Sequence, residues 1–187
     1  MQVEQLEIQG AWLIRASRFS DSRGWFQEWF RNSSLHDVTG TDFRPIQANI
    51  SRSSRGTIRG IHYSLAPNGQ GKLVTVMHGA INDYVIDIRP SSPTFGQWQR
   101  VSLDSENGDA LLIDPHLGHA FQALGDGTIV SYLVTAEYNP EMEKSITPFC
   151  PELAIDWEPH HPDALSPKDL AAPGLLAQRD AGLLPDF

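Results

Sequence analysis

Short segments in which apolar and polar residues alternate recur along the first three quarters of the chain. They are GWFQEWF (24–30), TIRGIHY (57–63), KLVTVMH (72–78), AINDYVIDI (80–88), WQRVSL (98–103), ALLI (110–113) and TIVSYLV (128–134). The connections NGQG, RPSSPTFG, DSENGD and GDGT are rich in the Gly, Pro, Asn and Asp residues of turns. Strands this short and frequent predict an antiparallel sandwich or barrel. A parallel sheet would need helical crossovers, for which there is no room.

After about Tyr138 the chain becomes proline-rich and irregular, as in CPELAIDWEPHHPDALSPKD. Pro173 and the following GLLAQRDAGLLP predict a short terminal helix that ends near Gly182. No internal repeat or linker divides the sequence. We therefore predict a single domain over residues 1–187, with a barrel core over about 20–135 and a C-terminal wrapping segment over about 139–187.

Composition and charge narrow the class of function. The chain has 187 residues, of which 40% are hydrophobic and 20% charged, as in ordinary globular proteins. A net charge of -9 argues against nucleic-acid binding, although a few converging cations would still allow an anionic ligand. Cys150 is the single cysteine, so no intrachain disulfide can form and we expect a reducing cytoplasm. We also expect no membrane contact, because no apolar stretch reaches the length of a membrane span.

The histidine in RGTIRGIHYS (55–64) raises the question of a metal site. Metal-binding barrels of the cupin type commonly use two histidines two residues apart, with a third on a later strand. Here the residue two after His62 is Ser64, and His119 in DPHLGHAF stands without such a pair. His160 and His161 lie in a proline-bounded loop typical of solvated surface. We therefore expect no metal site.

A second interpretation makes His62 a general base, since histidine titrates close to neutral pH. It would need an orienting carboxylate, an acid beyond the substrate and a cation where negative charge develops. Tyr132 and Lys72 are candidates for the last two, but spacing alone does not bring them together. Taken singly, Tyr132 is typical of aromatic packing and Lys72 of a solvated strand end. Asp169 in SPKDL is typical of a helix N-cap.

Strand parity sets a condition on this site. In a regular strand Gly60 and His62 share one face, and Arg59 points to the other. Arg59 and His62 line one pocket only if Gly60 marks a bulge or a sharp twist. Because the sequence has no glycine-rich phosphate loop, a phosphate would be held by side chains such as arginine forks.

Nine short stretches, in order and from about residue 20 to 170, carry a resemblance to one family. They are DSRGWFQEWF, QANISRS, RGIHY, KLVTV, DYVIDIRPSSPTFGQW, GHAF, SYLVTAEYNP and LAIDW followed by LSPKD. Together they resemble the dTDP-4-dehydrorhamnose 3,5-epimerase family. The resemblance implies an all-β, cupin-like jelly-roll barrel of antiparallel strands with a few short peripheral helices. It further implies a homodimeric isomerase without metal or organic cofactor, which inverts C3 and C5 of a dTDP-linked 4-keto-6-deoxy sugar through enolates.

The resemblance also implies roles for individual residues. His62 matches the base, and Asp169 matches the carboxylate that hydrogen-bonds it. Tyr132 matches the acid on the opposite face of the sugar, and Lys72 the cation beside the C4 carbonyl oxygen. In this family the N-terminal segment crosses between subunits, so Phe26 and Glu28 would serve the partner's site. The residues that match substrate-binding positions are Arg23, Phe26, Glu28, Gln47, Asn49, Arg59, His119 and Tyr138.

Some positions depart from the family's pattern and leave the site of inversion open. GHAF stands where many members read AHGF, and CPEL where DPEL is usual. Leu133 replaces a lysine and Ile50 a histidine that are common in the family. These changes resemble actinobacterial members, including antibiotic-sugar enzymes, some of which epimerise only C3 or only C5. The residues by themselves are also compatible with a metal-dependent cupin enzyme or a non-catalytic sugar-binding jelly roll.

Overall fold

The computed structural model describes residues 2–67 and 69–186, in which thirteen strands and three short helices form. The strands are β1 (Gln2–Gln5), β2 (Ala11–Arg15), β3 (Arg18–Asp21), β4 (Gly24–Gln27), β5 (Gln47–Ser53), β6 (Ile58–Ser64), β7 (Lys72–His78), β8 (Ala80–Ile86), β9 (Trp98–Asp104), β10 (Ala110–Ile113), β11 (Gly118–Ala123), β12 (Thr128–Val134) and β13 (Glu143–Ser145). The helices are α1 (Asn32–Thr39), α2 (Pro167–Leu170) and α3 (Leu175–Asp180). None of these described helices is long and apolar enough to cross a bilayer.

Two antiparallel sheets face each other and form the barrel. One has the strand order β1-β2-β10-β7-β12-β5 and the other β13-β6-β11-β8-β9, while β3 and β4 form a separate hairpin. The main core lies between the sheets: Val74 and Val130 from the first sheet meet Val85 and Phe121 from the second. We call the faces that meet there the inner faces. This arrangement confirms the predicted all-β barrel of antiparallel strands.

The alternating pattern located most strands but not all of their ends. The segments predicted over 72–78, 110–113 and 128–134 form strands with those bounds. The strand predicted over 24–30 is wrong in extent, because it ends at Gln27. Trp29 and Phe30 instead pack on the outer face of the six-stranded sheet, where the ring of Phe30 meets that of Phe43 edge-on at 5.8 Å.

A buried ion pair stabilises the loop after β8. Arg89 donates to both carboxylate oxygens of Asp87, at 2.8 and 2.7 Å, and to the backbone oxygen of Gln9 at 3.1 Å. Burial alone would raise the pKa of Asp87, but hydrogen bonds from Arg89, Ser92 and Thr94 outweigh it and bring that pKa to about 2. β8 ends at Ile86, directly before this network and two residues before the predicted end at residue 88.

The C-terminal segment covers the outer face of the five-stranded sheet. Leu153 and Ile155 pack there on Tyr63, Tyr84 and Ile86. The indole nitrogen of Trp98, at the start of β9, donates to the backbone oxygen of Leu153 at 2.8 Å. This cover holds α2 beside the start of β6, since the Ile58 amide donates to the Ala164 oxygen at 2.9 Å.

A β-bulge at Gly60 controls which side chains of β6 face inward. Arg59 lies opposite Phe121 of β11, and His62 lies opposite His119. Three steps along β6 therefore match two along β11, so β6 holds one extra residue. Gly60 has a φ of 129°, which L side chains rarely adopt. The bulge that strand parity required is present, and both Arg59 and His62 point inward.

We predict that Gly60→Ala lowers the free energy of unfolding by roughly 3 kcal/mol or more. A Cβ there would lie 2.5 Å from Ala120 Cβ and 2.6 Å from the His119 oxygen, in addition to the unfavourable φ. Urea denaturation measures the loss. The control is Gly125→Ala, because a Cβ there meets only Thr128 Oγ1 at 3.8 Å and should change little. Equal stability of the two variants would contradict the bulge.

Candidate active site

His62 and Asp169 form a hydrogen-bonded pair at the edge of the barrel interior. His62 Nε2 lies 2.7 Å from Asp169 Oδ1, although the two residues are 107 positions apart in the sequence. The Asp169 side chain is only 5% exposed, whereas that of His62 is 37% exposed. Because an ionised carboxylate can only accept, Nε2 carries the proton and Nδ1 keeps a lone pair. His62 is therefore arranged to accept a proton at Nδ1.

Ser166 fixes the orientation of this carboxylate. Ser166, not Asp169, is the N-cap of α2, so the N-cap interpretation of Asp169 is wrong. Its Oγ accepts from the Asp169 amide at 3.1 Å and donates to Asp169 Oδ2 at 2.9 Å, which leaves Oδ1 for His62. Burial alone would raise the pKa of Asp169, but the hydrogen bonds of His62 and Ser166 and the His62 charge bring it below its ordinary value.

Lys72 and Tyr132 project into the interior from the opposite sheet. Lys72 lies opposite the core residue Ile113, and Tyr132 lies opposite Val74 and packs on the same core. Cross-strand partners share a face, so both side chains point toward the sheet that carries His62. Lys72 is 6% exposed, which corrects the expectation of a solvated strand end. His62, the candidate base, and Tyr132, the candidate acid, therefore lie on facing sheets.

The surroundings change the acidity of both groups. Burial lowers the pKa of Lys72, and the carboxylates of Glu143 and Asp83 partly oppose that shift. Burial raises the pKa of Tyr132, with the Arg59 charge acting in the opposite direction. The phenol of Tyr132 is therefore protonated at neutral pH, as a proton donor must be.

His119 forms a second imidazole–carboxylate pair beside His62. Its Nε2 lies 2.9 and 3.1 Å from the two oxygens of Asp83, which is fully buried. Burial raises the pKa of Asp83, and the charge and hydrogen bond of His119 partly offset this. Sequence reasoning missed Asp83, because its position in AINDYVIDI looks like any polar residue of an alternating strand.

Four more of the expected substrate-binding residues lie at the rim of this interior: Gln47, Asn49, Arg59 and Tyr138. Gln47 donates to Asn49 Oδ1 at 2.8 Å and accepts from the Tyr138 amide at 2.9 Å. Asn49 lies directly opposite Tyr132 on β5. Arg59 Nε donates to Ser53 Oγ at 3.1 Å and lines a groove of about 360 Å³ beside His62. Lys168, which sequence reasoning also missed, lines this groove.

Three of the expected substrate-binding residues lie elsewhere in the single chain. Arg23, on the β3–β4 hairpin, is paired with Asp21 at 2.6 Å. Phe26 is 69% exposed, and Glu28 is paired with Arg31 at 2.7 Å. Phe26 and Glu28 line a separate groove that shares no residue with the one beside His62. One chain alone does not bring these residues to His62.

Two of the four departures from the family's pattern, Leu133 and Ile50, lie outside the interior. Leu133 packs on the outer face with Trp29 and Phe30, since it alternates with the inward Tyr132. Ile50 is 70% exposed and lies opposite Ser131 on the same outer face. Neither side chain therefore lines the space between His62 and Tyr132.

Polar atoms without partners occur in the interior. Glu143 lies opposite Ser64 and Ser145 opposite His62, so both face inward from β13. Within the described residues, Glu143 Oε1 and Ser145 Oγ are buried and make no hydrogen bond. Sequence reasoning missed both, because a three-residue strand gives no detectable alternation. In the same described parts of the chain, no group of three or more His, Cys, Asp or Glu side chains could hold a metal ion.

Comparison with known proteins agrees with this geometry. The family model described as dTDP-4-dehydrorhamnose 3,5-epimerase matches residues 5–177. A protein of that name from Mycolicibacterium smegmatis is 43% identical over 188 residues, which cover 100% of this chain and 92% of the relative. A dTDP-4-dehydrorhamnose 3-epimerase from Streptomyces niveus is 41% identical over 187 residues, covering 100% and 90%.

A solved structure gives the same result for the fold. NovW, a 4-keto-6-deoxy sugar epimerase from the novobiocin biosynthetic gene cluster of Streptomyces spheroides, superposes with a TM-score of 0.96. The two sequences are 41% identical, and the alignment covers 100% of this chain and 94% of NovW. The chain belongs to the dTDP-4-dehydrorhamnose 3,5-epimerase family.

Proposed function

We propose that this protein is an isomerase that inverts C3 and C5 of a dTDP-linked 4-keto-6-deoxyhexose without metal or organic cofactor. The observation that carries the proposal is the His62–Asp169 pair, which faces Tyr132 and Lys72 across the barrel interior. Membership of the family supplies the substrate class. The chain's own side chains supply every proton donor and acceptor that the reaction needs.

The first step is removal of a proton beside the ketone. The 4-keto group acidifies the C–H bonds at C3 and C5, because the carbanion is delocalised onto oxygen as an enolate. His62 Nδ1 takes the proton, and Asp169 stabilises the imidazolium that forms. Lys72 donates to the enolate oxygen; one preorganised donor of this kind contributes roughly 3 kcal/mol. Its burial strengthens the effect, since water does not screen it.

The second step is delivery of a proton to the opposite face. Tyr132 donates its phenolic proton to the carbon, which inverts the centre, and both groups then recover their protonation states from solvent. Binding is assigned to the rim. Arg59, held by Ser53, is suited to the diphosphate, and Gln47 and Asn49 to the sugar and nucleotide. His119 and Tyr138 complete this substrate-binding set.

A homodimer would complete the site. Arg23, Phe26 and Glu28 are expected to bind substrate but lie away from His62 in the single chain. The large apolar side chains exposed on the β3–β4 hairpin and on the edge and outer face of the six-stranded sheet are Phe19, Trp25, Phe26, Ile50 and Met77. Exposed apolar clusters of this kind mark protein interfaces. We infer that the hairpin of one subunit reaches the interior of the other.

Inversion at C3 alone is a second candidate. The relative from Streptomyces niveus, 41% identical, is named a 3-epimerase, and its identity is close to the 43% of the 3,5-epimerase. The groups assigned to proton transfer would serve either outcome. Which carbons exchange their protons is therefore measured in the same experiment that tests the chemistry.

Hydrogen exchange in deuterated water tests the proposed chemistry. With a dTDP-4-keto-6-deoxyhexose as substrate, wild-type protein should introduce deuterium at C3 and C5. NMR measures the deuterium at each carbon. His62→Ala should slow exchange at least 100-fold, because His62 is the group proposed to remove the proton. Tyr132→Phe should keep exchange but lose inversion. Chelator-treated protein should behave as wild type. Absence of exchange in a folded wild-type protein would contradict the proposed function, and exchange at C3 alone would establish the second candidate.

A further prediction concerns Ser166. Ser166→Ala should cost about 1 kcal/mol of stability through loss of the cap and lower kcat about tenfold, or about 1.4 kcal/mol of barrier. Ser166→Thr should keep the stability and the kcat of wild type. Ser166→Asp should restore the cap but not kcat, because it cannot donate to the Asp169 carboxylate. If Ser166→Asp restored kcat as well, orientation of Asp169 by Ser166 would be wrong.

The pH dependence of stability follows from Asp169. Its folded pKa lies below the ordinary value of 3.8, so the pairing stabilises the fold above about pH 4. This contribution is lost as the pH falls through the folded pKa. Asp169→Asn should therefore be less stable than wild type at neutral pH, and the difference should shrink on acidification. A difference that stays constant with pH would show that the Asp169 charge is not what stabilises the pair.

The proposed dimer predicts a loss of activity on dissociation. Ile50→Asp combined with Met77→Asp should convert the dimer to a monomer and lower activity, as measured by light scattering and exchange. The control is Phe149→Asp, because Phe149 is 43% exposed and lies between Ile146 and Cys150, which pack on the outer face of the five-stranded sheet. A wild-type monomer with full activity would contradict the shared site.

A further inference from the structure

Ser145 carries a buried hydroxyl that faces His62. It is the last residue of β13 and lies directly opposite His62 on β6. Directly opposed residues of an antiparallel pair have Cβ atoms about 5 Å apart and project to the same side. Ser145 therefore shares the inner face with the proposed base. The residue is 6% exposed, and its Oγ has no hydrogen-bond partner within the described residues.

An unpartnered buried hydroxyl is costly in the free protein. Removing such a group from water without a compensating hydrogen bond costs about 1–3 kcal/mol. Buried polar atoms in native proteins are nearly always paired, so an orphan at this position calls for an explanation. A bound polar ligand would supply the missing partner.

Two more orphaned oxygens face the same space. Glu143 Oε1 lies two residues before Ser145 on the inner face of β13. Ser51 Oγ lies on β5, opposite the core residue Val130, and so faces inward from the other sheet. Among the side chains that the structure describes, the two other unpartnered buried oxygens, on Asn32 and Tyr84, lie outside the interior. The clustering of three orphans on the inner faces indicates a polar ligand rather than local misfit.

The backbone at Ser145 is held in place. The buried Gln178 of α3 donates through Nε2 to the Ser145 oxygen at 2.9 Å. Ile146 exchanges two hydrogen bonds with Ile61, at 3.0 and 3.1 Å. These contacts fix β13 against β6, so the Ser145 side chain keeps its place on the inner face.

We propose that Ser145 Oγ hydrogen-bonds a hydroxyl of the hexose ring, next to the carbon from which His62 takes the proton. A serine hydroxyl both donates and accepts, which matches a sugar hydroxyl. Ser145 would thereby distinguish hexoses that carry this hydroxyl from deoxy analogues. The inference rests on the proposed function, because it takes the substrate class from there.

The test compares Ser145→Ala with Ser102→Ala. In the control, Ser102 Oγ donates to Asn82 Oδ1 at 3.1 Å on the far face of the five-stranded sheet. The sugar ligand is a dTDP-hexose that lacks the 4-keto group and so does not react. Ser145→Ala should weaken its binding about tenfold and leave binding of dTDP unchanged. The free Ser145→Ala protein should be at least as stable as wild type. Ser102→Ala should reduce stability but leave both affinities unchanged.

Two results would overturn the assignment. Unchanged affinity of Ser145→Ala for the dTDP-sugar would mean that only water meets the hydroxyl. Loss of stability in the free Ser145→Ala protein, with equal loss of affinity for dTDP and for the dTDP-sugar, would indicate a structural role. Equilibrium binding is measured without turnover, so a wild-type protein that binds the sugar but shows no hydrogen exchange would refute the epimerase and not the Ser145 contact.

Discussion

The one extra residue in β6 determines what the barrel interior can do. Without the bulge at Gly60, Arg59 and His62 would point to opposite sides of the five-stranded sheet. With it, the cation suited to the diphosphate and the proposed base share one wall. The close approach of Ala120 and the His119 backbone leaves no room for a Cβ at Gly60. The local backbone therefore sets the direction of the groups on which binding and chemistry depend.

The interior couples charges that would be unfavourable alone. Lys72 is buried near the carboxylates of Asp83 and Glu143, and Asp83 is itself paired with His119. Each buried charge thus has an opposite charge or a hydrogen-bond donor beside it, as its desolvation requires. Asp169 follows the same rule on the opposite side of His62, where Ser166 satisfies its second oxygen. The result is a polar site kept rigid inside an apolar barrel.

Sequence patterns predicted seven strand segments but missed β11 and β13, among others. All six residues of β11 are buried, so GHAFQA shows no alternation, and β13 has only three residues. The roles proposed for His62 and Tyr132 came from resemblance rather than spacing. The contacts made by Asp83 and Ser145 join segments far apart in the chain, which no local pattern records. The expected pairing of His62 with Asp169 corresponds to a contact in the structure, whereas the assignment of Phe26 to a partner's site stays a prediction.

In the proposed complex a hexose lies between His62 on one sheet and Tyr132 on the other. The most direct measurement is a crystal structure of the dimer with a dTDP-hexose that lacks the 4-keto group and so does not react. In that structure His62 Nδ1 and the Tyr132 oxygen should lie on opposite faces of the ring, with Lys72 Nζ beside the oxygen at C4. A sugar bound outside the barrel, or with both groups on the same face of the ring, would contradict it.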